Sequence, residues 1–447
     1  MKTTISLILC VTFHSSAVLA DNFARDRQQN WHQWRGPSAN GVSPHGDPPV
    51  DWDEDSNIKW KVEVPGRGSS TPIVWGNQVF LLSAIKTDRV AESLPKLSES
   101  PTRGGNPFGI QRPTNFYEFV VLCFDRQTGK IRWQQTAAKE VPHEGHHRDH
   151  GFATASPTTN GRYLYTSFGS HGLYCYDLEG NLQWQRDLGD MQIMRFFGES
   201  ISPVIHGDSL IVNWDHEGQS FLVSLNAETG ETKWKVDRDA GTAWSTPLLV
   251  THDGRTQIII NGQTRLHSYD LATGKLIWEC EREGAAAVPS PVSVNGLVFC
   301  MVGYPGKSLQ AIPLDSTGDL TGTDKLAWSR DRGTPYIPSP LLYDDRLYFT
   351  RSNSAILSCL NAATGKAVIE NKRLPKLRTI YGSPVGAADR IYIVDRAGTT
   401  LVVKHGAELE VLATNKLDDS IDASPAIVGK ELFLRGEEFL YCIAADG

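Results

Sequence analysis

Residues 141–157 read VPHEGHHRDHGFATASP and place four of the chain's 13 histidines within eight positions: His143, His146, His147 and His150, with Glu144 and Asp149 among them. Imidazoles beside carboxylates suit metal ligation or proton transfer. His146 and His150 are four apart, which on a helix would share one face, and Asp149 could add an oxygen ligand. Pro142, Gly145 and Gly151 instead bracket the run as a loop. Three readings stand at this point: a metal site on His146, His147 and His150, histidines hydrogen-bonded at the edge of a binding site, or a polar surface loop. The choice depends on Ser156-Pro157, which ends the phrase.

That pair belongs to a repeat. Ser/Thr-Pro occurs in phase eight times, with prolines at 72, 157, 203, 247, 291, 340, 384 and 425, at steps of 85, 46, 44, 44, 49, 44 and 41 residues. Each pair opens the same phrase. In the third copy an apolar run follows Ser202-Pro203, Gly207-Asp208 turns the chain, and Leu210–Asn213 and Phe221–Leu225 alternate as strands. Asn226-Ala-Glu-Thr-Gly230 then leads to a fourth strand ending at Trp234. Four strands per 44 residues, with turn residues at fixed offsets, describe a propeller blade. The fold expected is all-β: an eight-bladed β-propeller of four-stranded antiparallel blades. The long first step marks a loop insertion at about 86–116.

The ends support a closed ring. The eighth repeat stops after its third strand, at LYCIAADG, whereas NIKWKVEV (Asn57 to Val64) carries the apolar-x-Trp phrase of a fourth. An N-terminal strand therefore completes the last blade and removes an exposed edge. This gives one propeller domain over 57–447, an N-terminal extension over 21–56, and a secretory signal over 1–20. The signal is read from Lys2, the mostly apolar run Ile5 to Leu19, and the small residues Ala17 and Ala20. Export would place the chain in the periplasm or outside the cell. Six cysteines follow the signal. Cys123, Cys175, Cys359 and Cys442 occupy equivalent third-strand positions, too far apart to bridge, and read as small buried thiols. Cys280 and Cys300 fall on different strands of successive blades, where a bridge is open but unsupported.

The phrase Asp-x-x-Thr-Gly-Lys-x-x-Trp, with variations at Asp125, Asp177, Asn226 and Asp270, resembles the PQQ-type β-propeller repeat from about Trp31 to the end. That resemblance implies three kinds of protein: quinoprotein dehydrogenases that oxidise alcohols or sugars, a periplasmic lipoprotein that binds partners in outer-membrane assembly, and exported members without established activity. WRGPSANGVS (Trp34 to Ser43) and TNKLDDSIDASP look most like the third. The dehydrogenases stack their quinone on a disulfide of adjacent cysteines, and no two cysteines here are adjacent; their calcium ligands and catalytic aspartate find no matching motif. The repeat is structural, so it does not carry a cofactor with it.

A functional site is expected where loops enter the first strands and where strands two and three turn, since both share one face. Those positions hold Arg67, His150, His171, Trp244, Arg265, Tyr336, Tyr381, Arg396 and Asp422, a set of cations and aromatic rings in a chain of formal charge −7. Rings beside cations could take an anionic or carbohydrate ligand, or another exported protein. The leading expectation is a ligand- or protein-binding scaffold. The alternative is a dehydrogenase using PQQ with calcium, and the third is a polysaccharide-degrading propeller with a His/Tyr/Arg set. The net charge speaks against a nucleic-acid partner, and no second stretch reaches the ~18 apolar residues of a membrane span.

Overall fold

The computed structural model describes residues 23–97 and 104–445; the expected signal lies outside them. Eight antiparallel sheets follow one another along the chain as blades 1 to 8. Blade 3 is typical: Val204–His206, Ser209–Trp214, Ser220–Asn226 and Thr232–Arg238 pair in order. Ser209–Trp214 is buried along its whole length, whereas Thr232–Arg238 largely alternates toward solvent. Inner strands packed on both faces need unbroken runs, and outer strands do not. Trp234 stands inside its strand, which runs on to Arg238 rather than ending at the tryptophan. Ile58–Glu63 pairs antiparallel with Phe439–Ile443, Trp60 opposite Cys442, and closes blade 8.

Every Ser/Thr-Pro lies immediately before an innermost strand, where a residue lacking an N–H costs no ladder bond. The hydroxyls have a second task. The Thr71 amide donates to Ser156 Oγ, Ser156 to Ser202, Ser339 to Ser383 and Ser383 to Ser424, each at 2.9 Å. Ser202 donates to Thr246 at 3.3 Å and Ser290 to Ser339 at 2.9 Å. A belt of side-chain acceptors thus ties blade to blade around the channel.

A second belt runs near the outside. The indoles of Trp60, Trp133, Trp184, Trp234 and Trp328 each donate to a carbonyl in the Thr-Gly turn of the next blade, at 2.9–3.1 Å. A Cβ on the turn glycines Gly129, Gly180, Gly230, Gly274 or Gly365 would fall 2.6–2.8 Å from those rings, so only glycine fits. Cys123, Cys175 and Cys442 stand in register with Trp133, Trp184 and Trp60, and Ser224 with Trp234. The position selects a small side chain opposite a large one. All six described cysteines are buried and free, Cys280 and Cys300 included.

Two features depart from the plain repeat. Blade 4 gains a fifth strand, Gly318–Asp319, parallel to Leu276–Glu281. It comes from blade 5, where an insertion replaces the Asp-x-x-Thr-Gly turn, and its Gly318 is in register with the fully buried Trp278. In blade 1 the insertion begins and ends as strand: Gln78–Val90 and Asn115–Asp125 form one long hairpin whose pairing extends as far as Val90 and Asn115.

The segment before blade 1 crosses one end of the channel. The Trp31 amide donates to Val74 O, the Ser43 amide to Gly386 O, and Thr159 N to His32 O. The fully buried Arg35 guanidinium donates to Pro340 O and Pro384 O, both at 2.9 Å. Trp31 and Trp52 belong to the main apolar core. This stretch is therefore a plug wedged among innermost strands.

Burial makes the fold acid-sensitive. Desolvation, helped by the charge of Arg27, pushes the His32 imidazole down to about 3. Burial, then the charges of Arg238 and Arg265, does the same to His267. Unfolded imidazoles titrate near 6.5. Between that value and about 3 the unfolded chain takes up protons that the folded chain refuses, so stability falls as pH falls, by up to about 1.4 kcal/mol per pH unit for each group. Urea unfolding from pH 7 to pH 4 should show this loss. His32→Gln should flatten the slope by up to that amount, and an unchanged slope would refute the assignment.

Candidate functional site

The plug closes the channel below, and a cavity of about 340 Å³ remains on the mouth side. Its volume falls within the range of small-molecule sites. The partly buried Trp34 lines it from the plug, its indole N–H donating to Ser290 Oγ at 3.0 Å. Ser156, Ser202, Thr246, Ser290, Ser339, Ser383 and Ser424 of the inner belt encircle it. Higher up, Trp244, Tyr336 and Tyr381 contribute rings from three blades, and Phe197 and Tyr304 add two more. The indole N–H of Trp244 is taken by Gly198 O at 2.7 Å.

One wall is charged. Arg396 lays its guanidinium fork on Asp422, Nε to Oδ1 at 2.6 Å and Nη2 to Oδ2 at 2.9 Å. Its third nitrogen meets Asp149 Oδ1 at 3.1 Å. The Tyr381 hydroxyl donates to Asp149 Oδ2 at 3.3 Å, and its ring lies 4.3 Å from the guanidinium. The two carboxyls respond in opposite directions. Burial raises Asp422 in spite of Arg396, whereas at Asp149 burial is outweighed by the Arg396 hydrogen bond and charge, and the carboxyl is lowered. Asp149 is lowered further by the charge of His147 and the Tyr381 hydroxyl, whereas the charges of Asp149 and Glu437 add to the rise at Asp422. Burial, reinforced by Asp149, pushes the Tyr381 phenol up to about 12, so it remains a hydrogen-bond donor at neutral pH.

The histidine phrase forms an arch from blade 1 to blade 2, and Asp149 carries it across to blade 7. His147 and His150 line the cavity. His147 stands edge-on to Phe197 and Phe108, its Nδ1 3.8 Å from Asp149 Oδ2. His150 bonds through Nδ1 to Gly151 O, and burial with the charge of His146 pushes it down to about 3, so it is neutral. His146 turns to Phe152 and bonds its neighbour's carbonyl, and the buried His143 bonds Met191 O at 2.8 Å. His146, His147 and His150 do not converge; among the described residues no group of three or more His, Cys, Asp or Glu is arranged to hold a metal.

Of the nine site residues expected from sequence, His150, Trp244, Tyr336, Tyr381 and Asp422 line this cavity, and Arg396 braces its wall. The other three lie elsewhere. Arg67 is exposed and pairs with Glu437 at 2.7 Å. Arg265 is neutralised by Glu279 and Asp319, both at 2.9 Å, because the fifth strand of blade 4 brings Asp319 to it. His171 is buried, stacked on Phe119 and bonded to Glu140 at 2.8 Å. The expected cations Arg67, Arg265 and Arg396 are thus each paired with carboxylates of the protein itself. Sequence reasoning missed Trp34, Asp149, Arg195 and Phe197. Asp149 was visible beside the histidines but was read as a metal ligand, and the Met-Arg-Phe-Phe run before Ser200 had no counterpart in other repeats.

The family described as outer membrane protein assembly factor BamB, a PQQ-repeat family, matches residues 118–371, more than half of the chain. The chain belongs to this family. BamB from Moraxella catarrhalis shares the fold with a TM-score of 0.54 and 16% identity, over 81% of this chain and 99% of that one. The quinohemoprotein alcohol dehydrogenase ADHIIG from Pseudomonas putida HK5 gives 0.56 and 11%, over 96% of this chain and 78% of its own. A computationally designed protein, Ika8, gives 0.52 and 10%, over 79% and 98%. No curated protein matches the chain. At these identities the structural likenesses show the fold alone.

The cavity does not suit the quinone of the dehydrogenases. Pyrroloquinoline quinone carries several carboxylates, whereas Asp149 and Asp422 line this cavity, Arg396 is already committed to both, and among the described residues Arg195 alone is left to meet an anion there. No pair of described cysteines is bridged to stack on it, and among the described residues no three carboxylates gather as they would around calcium.

Proposed function

We propose that this PQQ-repeat propeller is an exported binding protein whose ligand is a small molecule seated in the mouth cavity. The observation that carries the reading is the cavity itself, closed below by the plug, ringed by hydroxyls and walled by aromatic side chains from several blades. Loops of separate blades converge there on one concave, partly apolar surface, which is where a rigid ring gathers specificity. The secretory signal read at residues 1–20 supports export.

Saturation-transfer NMR against a metabolite library tests this reading, with Tyr336→Ala as control. Hits on the wild type that vanish in the variant are expected. Hits that persist in Tyr336→Ala place binding elsewhere. The rim rings Phe108 and Tyr304 are 55% and 58% exposed, so the same preparation should also be probed for a protein partner, as the BamB relationship suggests. A partner lost in Phe108→Ala but not in Tyr336→Ala would favour the scaffold reading.

A further inference from the structure

The chemistry of the cavity narrows its occupant, on the assumption that the mouth cavity is the binding site. Both indole N–H groups that could have faced a ligand are used internally, Trp34 on Ser290 and Trp244 on Gly198. The partly buried Trp34 therefore offers ring surface, which suits the C–H face of a pyranose, and Trp244, 8% exposed, adds the edge of a second ring. Ser156, Ser202, Ser339, Ser383 and Ser424 each accept a backbone N–H through Oγ, and each line the cavity. A hydroxyl that accepts still has its own hydrogen to give. The lower cavity is thus a circle of O–H donors, matched to a polyhydroxylated ligand.

The charges then set where an acid group could sit. Asp149 and Asp422 repel an anion on their side, and Arg396 has no unassigned charge to offer. Arg195 differs. It lines the cavity from the connection between blades 2 and 3, is exposed, and makes no ion pair among the described residues. Its backbone is left-handed (φ 52°), and so is that of Phe196 (φ 60°). Two consecutive non-glycine residues in that region are costly, and such strain persists where surrounding structure enforces it, often at ligand sites. Here it holds a guanidinium at the cavity wall, near enough to Tyr336 for its charge to oppose the burial that raises that phenol.

We propose that the occupant is an acidic carbohydrate, stacked on Trp34 against the edge of Trp244, with its carboxylate or sulfate on Arg195 and its hydroxyls on the serine circle. One anionic group at one end is accommodated; a compact polyanion meets Asp149 and Asp422.

Calorimetric titration of the mature chain tests this with four probes: an acidic trisaccharide bearing a single terminal uronate, a monosulfated galactan trisaccharide, maltotriose and pyrroloquinoline quinone. At least one acidic trisaccharide should bind at least tenfold more tightly than maltotriose, and which one distinguishes carboxylate from sulfate. Arg195→Gln should erase that preference, Arg195→Lys should keep part of it, and added salt should weaken it. Trp244→Ala should abolish binding of every sugar, and Trp244→Phe, which refills the site, should restore some. Equal affinity for acidic and neutral probes, no sugar binding, tighter binding of the quinone, or an acid preference that survives Arg195→Gln each overturns the inference. If other compounds bind and Tyr336→Ala removes them, the cavity reading stands without it; if nothing sensitive to Tyr336→Ala binds, both fail.

Discussion

Replacing Arg238 with methionine is expected to cost about 3–5 kcal/mol of folding stability, the range for leaving one member of a buried ion pair alone. The side chains of Arg238 and Asp215 are 1% and 0% exposed. The guanidinium fork meets both carboxylate oxygens, at 2.8 and 3.1 Å, and a third nitrogen donates to the Tyr269 hydroxyl. Burial alone would lower the Arg238 pKa, yet the charge of Asp215 keeps it raised. Arg238→Met therefore strands a carboxylate among apolar strands. The loss comes chiefly from that stranded charge, not from the strength of the original pair. Arg238→Met combined with Asp215→Leu should accordingly cost less than Arg238→Met alone. Urea unfolding of the wild type, both single variants and the double variant measures the coupling. A double variant as unstable as the sum of the singles would refute the argument.

What the chain discloses in one dimension follows from this kind of contact. The ring was legible because its restraints repeat: a proline before each inner strand, a hydroxyl beside it, a glycine under each tryptophan. Each is a local rule read between five and eight times, so noise in one copy does not matter. Arg238 and Asp215 are a single pairing 23 residues apart, with no copy elsewhere in the ring. The same limit applied at the mouth. Tyr336, Tyr381 and Asp422 were found because they stand three or four residues before the proline of Ser/Thr-Pro, and that offset sets the face. Arg265 has an equally good offset and was still misplaced, since the strand that neutralises it comes from an insertion in the next blade. Trp34 lies outside the repeat and offered no phase to read. Asp149 reaches blade 7 only because the arch crosses the mouth, a path set by tertiary contacts with Arg396 and Tyr381.

The plug links stability to the site, and its two tryptophans should separate the two properties. Trp31 is fully buried, its ring packed on Gly36 and its backbone exchanging hydrogen bonds with Val74. Trp31→Ala should cost about 3–5 kcal/mol, as for other large aromatic truncations in a core. Trp34 is only partly buried and makes one side-chain hydrogen bond, to Ser290. Trp34→Ala should cost about 1 kcal/mol of stability. Its expected effect is on the cavity: the ring is lost from the floor, while Arg35 still holds the segment through Pro340 O and Pro384 O. Ligand affinity should fall at least tenfold, a loss of about 1.4 kcal/mol or more. Unfolding and calorimetry on the two variants test the division. If Trp34→Ala were as unstable as Trp31→Ala, the segment would be a single structural unit with no separate floor. If it kept full affinity, the ligand would seat above the plug, and the specificity would reside in the arch and the Asp149–Arg396–Asp422 wall alone.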